Sequence, residues 1–568
     1  MRCWSAMRSA LACACLVSLP FVADAQVVLG PQDDALVLPQ GVLRIRLLNQ
    51  WVNFNERYGK NTPGRPDGAI EPLGTDFNLD TVGVTTFPTL APLQAGLRQL
   101  TGIPDFTLSL GRTVLTADAR LVVTPVVFEY GVTERFSMGL VLPYVQSKNT
   151  IFFNVNPLQR EGNVGFNPAL GGVAPALAAN GAVQTQFATA AAQLQGALAA
   201  CNADPGQPGC AQLLAQEANA QALIQNSTLF AGGLANIYGT GTAGTGSPFI
   251  PITGTDVQLA IQARIAAFNA LYRQFLGSGT DILTATPFPA QNRLTLDDAQ
   301  TILTDPAFGI GGEPLQTVER SGIGDIELGA KYLIFDTMRN RGLDRLDAPP
   351  GLNVRVSAGA IFRFGTGDPD SPNNFADVGV GNGQHDLQLN GFADVLYGKH
   401  IFTSFAGRYG IQFADQEVLR VTDAPERRLA ALWRRQEVER DLGDYFELEA
   451  NQRFILNDYL SVTGHYLYRH KFEDRYSGTF QIDSAVTGYA DVTLNASTLD
   501  QETEVIEHRL GGGFSFSTVA AFFDDRARIP IEVTYFHFQT TRGFGGNTPK
   551  LFSDQIQVRV YTRLFGGP

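Results

Sequence analysis

Twelve charged side chains recur at alternate positions within otherwise apolar stretches: Asp325, Glu327, Lys331, Arg355, Arg363, Asp394, Arg408, Glu447, Glu449, Arg453, Arg469 and Lys471. Both signs are present. Lined up inside a narrow enclosure, such groups can pair and fill the space. They can also form a lining that selects what passes. Pairing is the preferred reading and selection the second. Catalytic residues are not assigned. The chain has no Gly-x-Ser-x-Gly elbow, no phosphate-binding P-loop and no His-Glu-x-x-His. Its six histidines are scattered. His465 and His470 are five apart, so on a strand they face opposite sides. Metal ligands and cofactors are not assigned either. The loop Asp368-Pro-Asp370-Ser-Pro-Asn-Asn374 with Asp377 has oxygen donors for Ca²⁺ but lacks EF-hand spacing, and reads as an acidic solvated loop.

Two other pairs have a chemical reading. Cys201 and Cys210 bracket a Pro/Gly turn and predict a local disulfide in an exported chain. Ala25 and Gln26 mark a signal-cleavage point. Arg2 and Arg8 precede an apolar run, and Ala23-Asp24-Ala25 fits the small-x-small rule. Residues 1–25 are therefore expected to be a signal peptide.

The elements that would position the twelve charges follow from composition and periodicity. Of 568 residues, 59 are Gly and 38 are Phe, and only 17% are charged. Globular proteins average about 25% charged residues. Glycine, aromatics and little charge suit a β-structure with two decorated faces. The net charge of -13 argues against nucleic acid as a partner, because that binding needs phosphate neutralisation. Beyond the signal no apolar run is long enough for a membrane helix, but a closed barrel can still span.

Period-two alternation recurs along the chain. Ile326, Leu328, Ala330, Tyr332 and Ile334 oppose Asp325, Glu327, Gly329 and Lys331. Leu352 to Phe364, Leu387 to Tyr397, Phe446 to Phe454 and Leu460 to Tyr468 repeat the pattern. About twelve strands are expected by this reading. They lie near 41–57, 115–130, 135–150, 322–336, 352–366, 385–398, 400–415, 440–456, 459–474, 502–518, 528–541 and 553–565. Alternation is poor in the second and eleventh. The gaps alternate between short and long, as periplasmic turns and external loops do. The fold class is therefore all-β: an antiparallel transmembrane β-barrel of about twelve strands with a large, mainly α-helical loop insert.

The expected domains are the signal at 1–25, first barrel strands at 26–154 with a long loop at 58–114, an insert at 155–320, and remaining strands at 321–568. In the insert, Ala/Gln-rich stretches at 181–200 and 208–226 predict two helices joined by the cysteine turn. A third is predicted over 256–276, where Val257, Ile261, Ile265, Phe268 and Leu271 share a helical face. Thr295-Leu-Asp-Asp298 predicts another helix start. The insert reads equally as an inert external cap and as a lid or plug.

Gly322-Ile-Gly-Asp-Ile-Glu-Leu-Gly-Ala-Lys-Tyr332 and Val132-Thr-Glu-Arg-Phe-Ser-Met-Gly-Leu-Val-Leu-Pro-Tyr144 carry a family likeness. They resemble the outer-membrane family named for the meta-cleavage pathway of phenol degradation, which is similar to the FadL-type channels for hydrophobic compounds. The resemblance covers roughly 115–150 and 322–565. It implies passive uptake of small hydrophobic or aromatic solutes and carries over no binding residue. The chain departs from outer-membrane barrels at its end, where Leu564-Phe565 is followed by Gly-Gly-Pro568. The expected protein is a monomer in the outer membrane of a Gram-negative bacterium, with membrane lipid and small hydrophobic solutes as its partners. Two further classes remain: a structural or surface-interaction barrel whose insert binds a partner, and, last, an outer-membrane hydrolase.

Overall fold

A computed structural model describes residues 34–59, 66–158, 161–277, 282–338, 350–422, 430–487 and 490–563. The expected signal peptide, with Ala25 and Gln26, lies outside them. The chain forms two compact units. One comprises Met1–Phe77, Leu115–Phe153 and Gln300–Pro568, and the other Asn78–Val114 and Asn154–Ala299.

The first unit is a closed antiparallel barrel. Its wall strands are β1 (Val42–Phe54), β2 (Thr113–Thr133), β3 (Phe136–Val155), β4 (Ile326–Asp336), β5 (Leu352–Phe364), β6 (Asp386–Tyr397), β7 (Ile401–Gln412), β8 (Tyr445–Ile455), β9 (Leu460–Lys471), β10 (Val505–Ser517), β11 (Ile531–Phe544) and β12 (Phe552–Arg563). Each pairs with its sequence neighbour, and β1 pairs with β12 from Val42↔Arg563 to Asn53↔Phe552, which closes the ladder. Closure leaves no unpaired edge, as a hydrocarbon environment demands. Leu47, Phe128, Leu328, Tyr332, Leu389, Phe405, Leu448, Phe454, Leu510, Phe514 and Ile556 are exposed on the outer face. That apolar surface faces lipid. Strands of 12–13 residues span a bilayer when tilted about 45°, which takes about 9–11 residues.

The two strands that alternate poorly have physical reasons. In β2 the inner face carries Leu115, Ala117, Ala119, Leu121 and Val123, all buried. Thr116, Asp118 and Arg120 are exposed on the outer face. The apolar face of that half is therefore inside. In β11 Phe536 and Phe538 point inward and are buried, so both faces carry apolar residues.

The wall also reaches into the segment expected to be insert. A strand at Val318–Ile323 pairs with β3 from Tyr144↔Ile323 to Asn149↔Val318. Its polar sequence, Val-Glu-Arg-Ser-Gly-Ile, hides it from a search for lipid-facing alternation.

Three further small sheets lie in the long loops of this unit. Asp415–Arg420 pairs with Arg435–Asp441, which pairs with Arg475–Ser477. Thr479–Ile482 pairs with Val492–Asn495, and Glu56–Gly59 pairs with Ala69–Pro72 and Asn547–Pro549.

The second unit is mainly helical. It contains α1 (Ala91–Thr101), α2 (Ala174–Ala203), α3 (Cys210–Ala215), α4 (Glu217–Tyr238) and α5 (Asp256–Leu276). A further helix, α6 (Leu296–Thr304), runs across the boundary between the units. The helix expected over 181–200 is longer. It starts at Ala174, where Pro175 suits the first turn, and runs until Asp204-Pro205 stops it. The helix expected over 208–226 is two, broken at Gln216 and continuing to a Gly239 cap. α5 is helical over 256–276 with Thr255 as its cap. The Thr295 and Asp298 side chains cap each other's backbone N–H groups at the start of α6. Phe187, Phe230 and Phe268 pack with ring centroids 5.1–5.9 Å apart, joining α2, α4 and α5. Cys201 and Cys210 are joined by a disulfide at the α2–α3 turn.

Candidate functional site

The barrel interior is where the alternating charges meet. Each strand places its odd or even set inward, and a one-residue slip would turn every charge to lipid. Eleven of the twelve predicted residues are buried. Glu447 keeps 16% side-chain exposure.

Most of them are engaged with one another or with inward charges on neighbouring strands. Arg363 on β5 bonds Glu327 on β4, with Nε 3.0 Å and Nη2 2.9 Å from Oε1, and also bonds Asp386 on β6. Arg408 Nη2 lies 2.6 Å from Glu449 Oε2, and its Nη1 lies 3.4 Å from Glu447. Arg453 and Arg559 share Glu532 at 3.4 and 3.3 Å. Arg469 reaches Glu447 at 3.6 Å, and Lys471 bonds Asp474 and the Thr503 carbonyl. Arg355 bonds Asp336 at 3.2 Å. Asp325 accepts from the N–H groups of Gly367 and Asn382 at 2.8 and 3.1 Å. This arrangement is that of paired filling. In a low-dielectric interior, removing one partner costs far more than an exposed pair contributes.

Several inward charges were not singled out from the sequence. Arg44 and Arg46 on β1 both bond Glu129 on β2, and Arg509 bonds Glu507 at 2.6 Å within β10. Arg44 and Arg46 alternate with Leu43, Ile45 and Leu47, so the signal was present.

A larger omission is the segment before β1. Ala35, Val37 and Leu38 are at most 3% exposed although they belong to no strand. They lie inside the barrel. The Ala35 N–H donates to Asp394 Oδ2 at 3.0 Å, and Lys331 Nζ donates to the Asp34 carbonyl at 3.0 Å. Ala35 packs on Phe392 and Ala406, which face inward from β6 and β7. Two of the predicted lumen residues, Lys331 and Asp394, thus hold a length of main chain across the interior. Five residues without periodicity give no sequence signal for this.

The loop between β5 and β6 also turns inward. Ala376, Val378 and Val380 are buried. Ser147 Oγ donates to the Val378 carbonyl at 2.9 Å, and Asn149 Nδ2 to that of Ala376 at 3.0 Å. The solvated-loop reading of 368–377 holds at Asp368, whose side chain is 83% exposed, and fails at Ala376 and Asp377, which are buried. Asp377 accepts from Arg320 Nη1 and the Ser371 N–H, each at 2.7 Å. Among the described residues no cluster could hold a metal ion.

Beyond the apolar band, Arg440 bonds Asp415 at 2.6 Å and also bonds Glu417. Burial, reinforced by nearby Asp370 and Asp415 against the opposing Arg440, pushes the Glu417 carboxyl up to about 7. Burial likewise pushes Asp370 up to about 6, with Asp377 adding to it.

No protein-family model and no curated protein matches the chain. Solved structures do show similarity. An outer membrane channel from Pseudomonas putida F1 aligns at 7% identity over 93% of this chain and 98% of its own, with a TM-score of 0.40. The transport unit of the autotransporter AIDA-I from Escherichia coli aligns at 5% identity over 95% and 97%, with a TM-score of 0.31. The P. putida toluene transporter TodX aligns at 9% identity over 93% and 91%, with a TM-score of 0.22.

Proposed function

We propose that this protein is an outer-membrane channel for passive uptake of small hydrophobic or aromatic molecules. The observation that supports it most is the interior. Its charges are engaged in pairs, while Leu36, Val141, Ile361 and Phe392 present apolar surface to the same space. A solute without charge meets the lower barrier there. The membrane reading rests on the apolar outer face and the closed ladder. Uptake of an aromatic panel into proteoliposomes tests it. Saturable entry of neutral aromatics without entry of charged analogues is expected. Entry no faster than through empty liposomes would end this reading, as would recovery of the native protein in the soluble periplasmic fraction.

One observation favours a second reading, in which the helical insert binds a partner. Between residues 162 and 255 the only charged side chains are Asp204 and Glu217, and charge depletion marks interface cores. Deleting the insert separates the two: uptake that persists without it assigns the insert to surface interaction.

A further inference from the structure

The outer wall carries an acid–base pair in the middle of its apolar face. His537 on β11 and Asp554 on β12 point outward and stand opposite each other in the ladder. Along β12, Asp554 lies between Phe552 and Ile556, both exposed on the same face. His537 Nδ1 is 3.0 Å from Asp554 Oδ1, which also accepts from the Tyr535 hydroxyl at 2.7 Å. Asp554 Oδ2 and His537 Nε2 make no hydrogen bond among the described residues. The two side chains remain 45% and 49% exposed. Asn49, outward on β1 opposite Ile556, adds a third polar group to this sector. A charged group on the lipid face destabilises a barrel by an amount that grows with depth. Ionisable groups at membrane depth are found against protein or water instead.

We propose that this sector of the wall is the contact surface between two copies of the chain in the membrane. The ladder sets Trp51, Asp554, His537 and Gly512 in one row across β1, β12, β11 and β10. Both copies insert the same way up, so a two-fold axis lies along the membrane normal and each copy offers the same patch to the other. An axis between β11 and β12 reverses the row in the partner. His537 then meets the partner's Asp554, and Trp51 meets the partner's Gly512. The open Oδ2 and Nε2 gain partners and leave the lipid. Two convex walls part on either side of their line of contact, and the half-buried Trp51 fills the gap where Gly512 has no side chain. Aromatic anchors seated in hollows carry much of the energy of interfaces. The occupant is a second copy because the row is complementary to itself in charge and in size. This replaces the monomer expected from the sequence and does not depend on what the lumen passes.

The test is association of the full-length protein in liposomes, read as energy transfer between donor- and acceptor-labelled copies as lipid is added. Transfer is expected to persist at dilutions where separate copies show none. Asp554→Asn keeps an acceptor for Tyr535 and removes the charge, and Trp51→Ala empties the anchor. Each should weaken association by about tenfold or more. The exchange His537→Asp with Asp554→His keeps the row complementary to itself and should restore association lost in Asp554→Asn. Leu389→Ala, on the outer face of β6 away from this sector, should change nothing. Heat-modifiable migration on gels confirms the barrel in each variant. A monomer at every dilution overturns the proposal, whether lipopolysaccharide or a locally thinned bilayer then covers the pair. So does association that survives both Asp554→Asn and Trp51→Ala, or that Leu389→Ala weakens as much as they do. If Trp51→Ala does not fold, Asp554→Asn and the exchange decide.

Discussion

Gly513 and Phe536 stand directly opposite each other across the β10–β11 ladder, and a Cβ on Gly513 would lie 2.0 Å from the Tyr535 carbonyl oxygen and 2.8 Å from the Phe536 ring. Gly511 and Phe538 repeat the arrangement, with a Cβ to Cβ approach of 2.5 Å. The glycines give the inward phenylalanines room to lie along the wall. Gly513→Val is expected to prevent the heat-modifiable barrel form or destabilise it by several kcal/mol, since overpacking a dense interior costs about 1–3 kcal/mol or more. Gly512→Ala, on the outer face where the nearest atom is 3.3 Å away, should fold normally. Gel migration before and after heating reads both. Normal folding of Gly513→Val would show that the β11 backbone at Tyr535 as well as the Phe536 ring can shift.

The Arg363 node predicts an asymmetry. Arg363→Met leaves Glu327 and Asp386 buried without their shared guanidinium. Breaking such a pair from one side costs about 3–5 kcal/mol. The triple variant Arg363→Met, Glu327→Gln, Asp386→Asn removes the stranded charges and should recover most of the loss. Urea midpoints in lipid decide this. A triple variant no more stable than the single one would mean that packing, not charge, holds the node.

Glu417 and Asp370 give the long loops that carry them a pH dependence. With carboxyls at about 7 and about 6, both groups bind protons more tightly folded than when the loops open. Their stabilising contribution is complete below pH about 4 and is lost as pH rises through 6 to 7. Asp377, Asp415, Arg320, Arg440 and Tyr476 face them and set the balance. Hydrogen exchange over 370–377 and 415–441, corrected for intrinsic rates, should show more opening at pH 8 than at pH 5. Glu417→Gln should reduce that difference. Protection that rises with pH would contradict the assignment.

The Cys201–Cys210 bond closes a short loop in the helical unit. A loop of that size contributes about 2–3 kcal/mol by chain entropy. Cys201→Ser with Cys210→Ser should leave barrel folding intact and make the α2–α4 hairpin easier to cleave by protease. A barrel that fails to fold in the double variant would show that the two units are energetically linked.

Alternation alone determined the barrel. Side chains alternate across a strand with period two, so Ile326, Leu328 and Tyr332 against Glu327 and Lys331 specify one lipid face and one inner face without tertiary information. The helices of the insert were legible for the same local reason, through Val257, Ile261, Ile265 and Phe268 at helical spacing. Tertiary structure decided which inward charges meet. Arg363 finds Glu327 and Asp386 from 36 and 23 residues away, and that register depends on where the neighbouring strands begin. It also decided the fate of segments with no periodicity. Asp34 to Leu38 are buried in the barrel, and residues 376–380 are buried beside β3, because Asp394, Lys331, Ser147 and Asn149 hold their backbone groups. A main-chain hydrogen bond to a distant side chain leaves no repeating mark in the residues that make it.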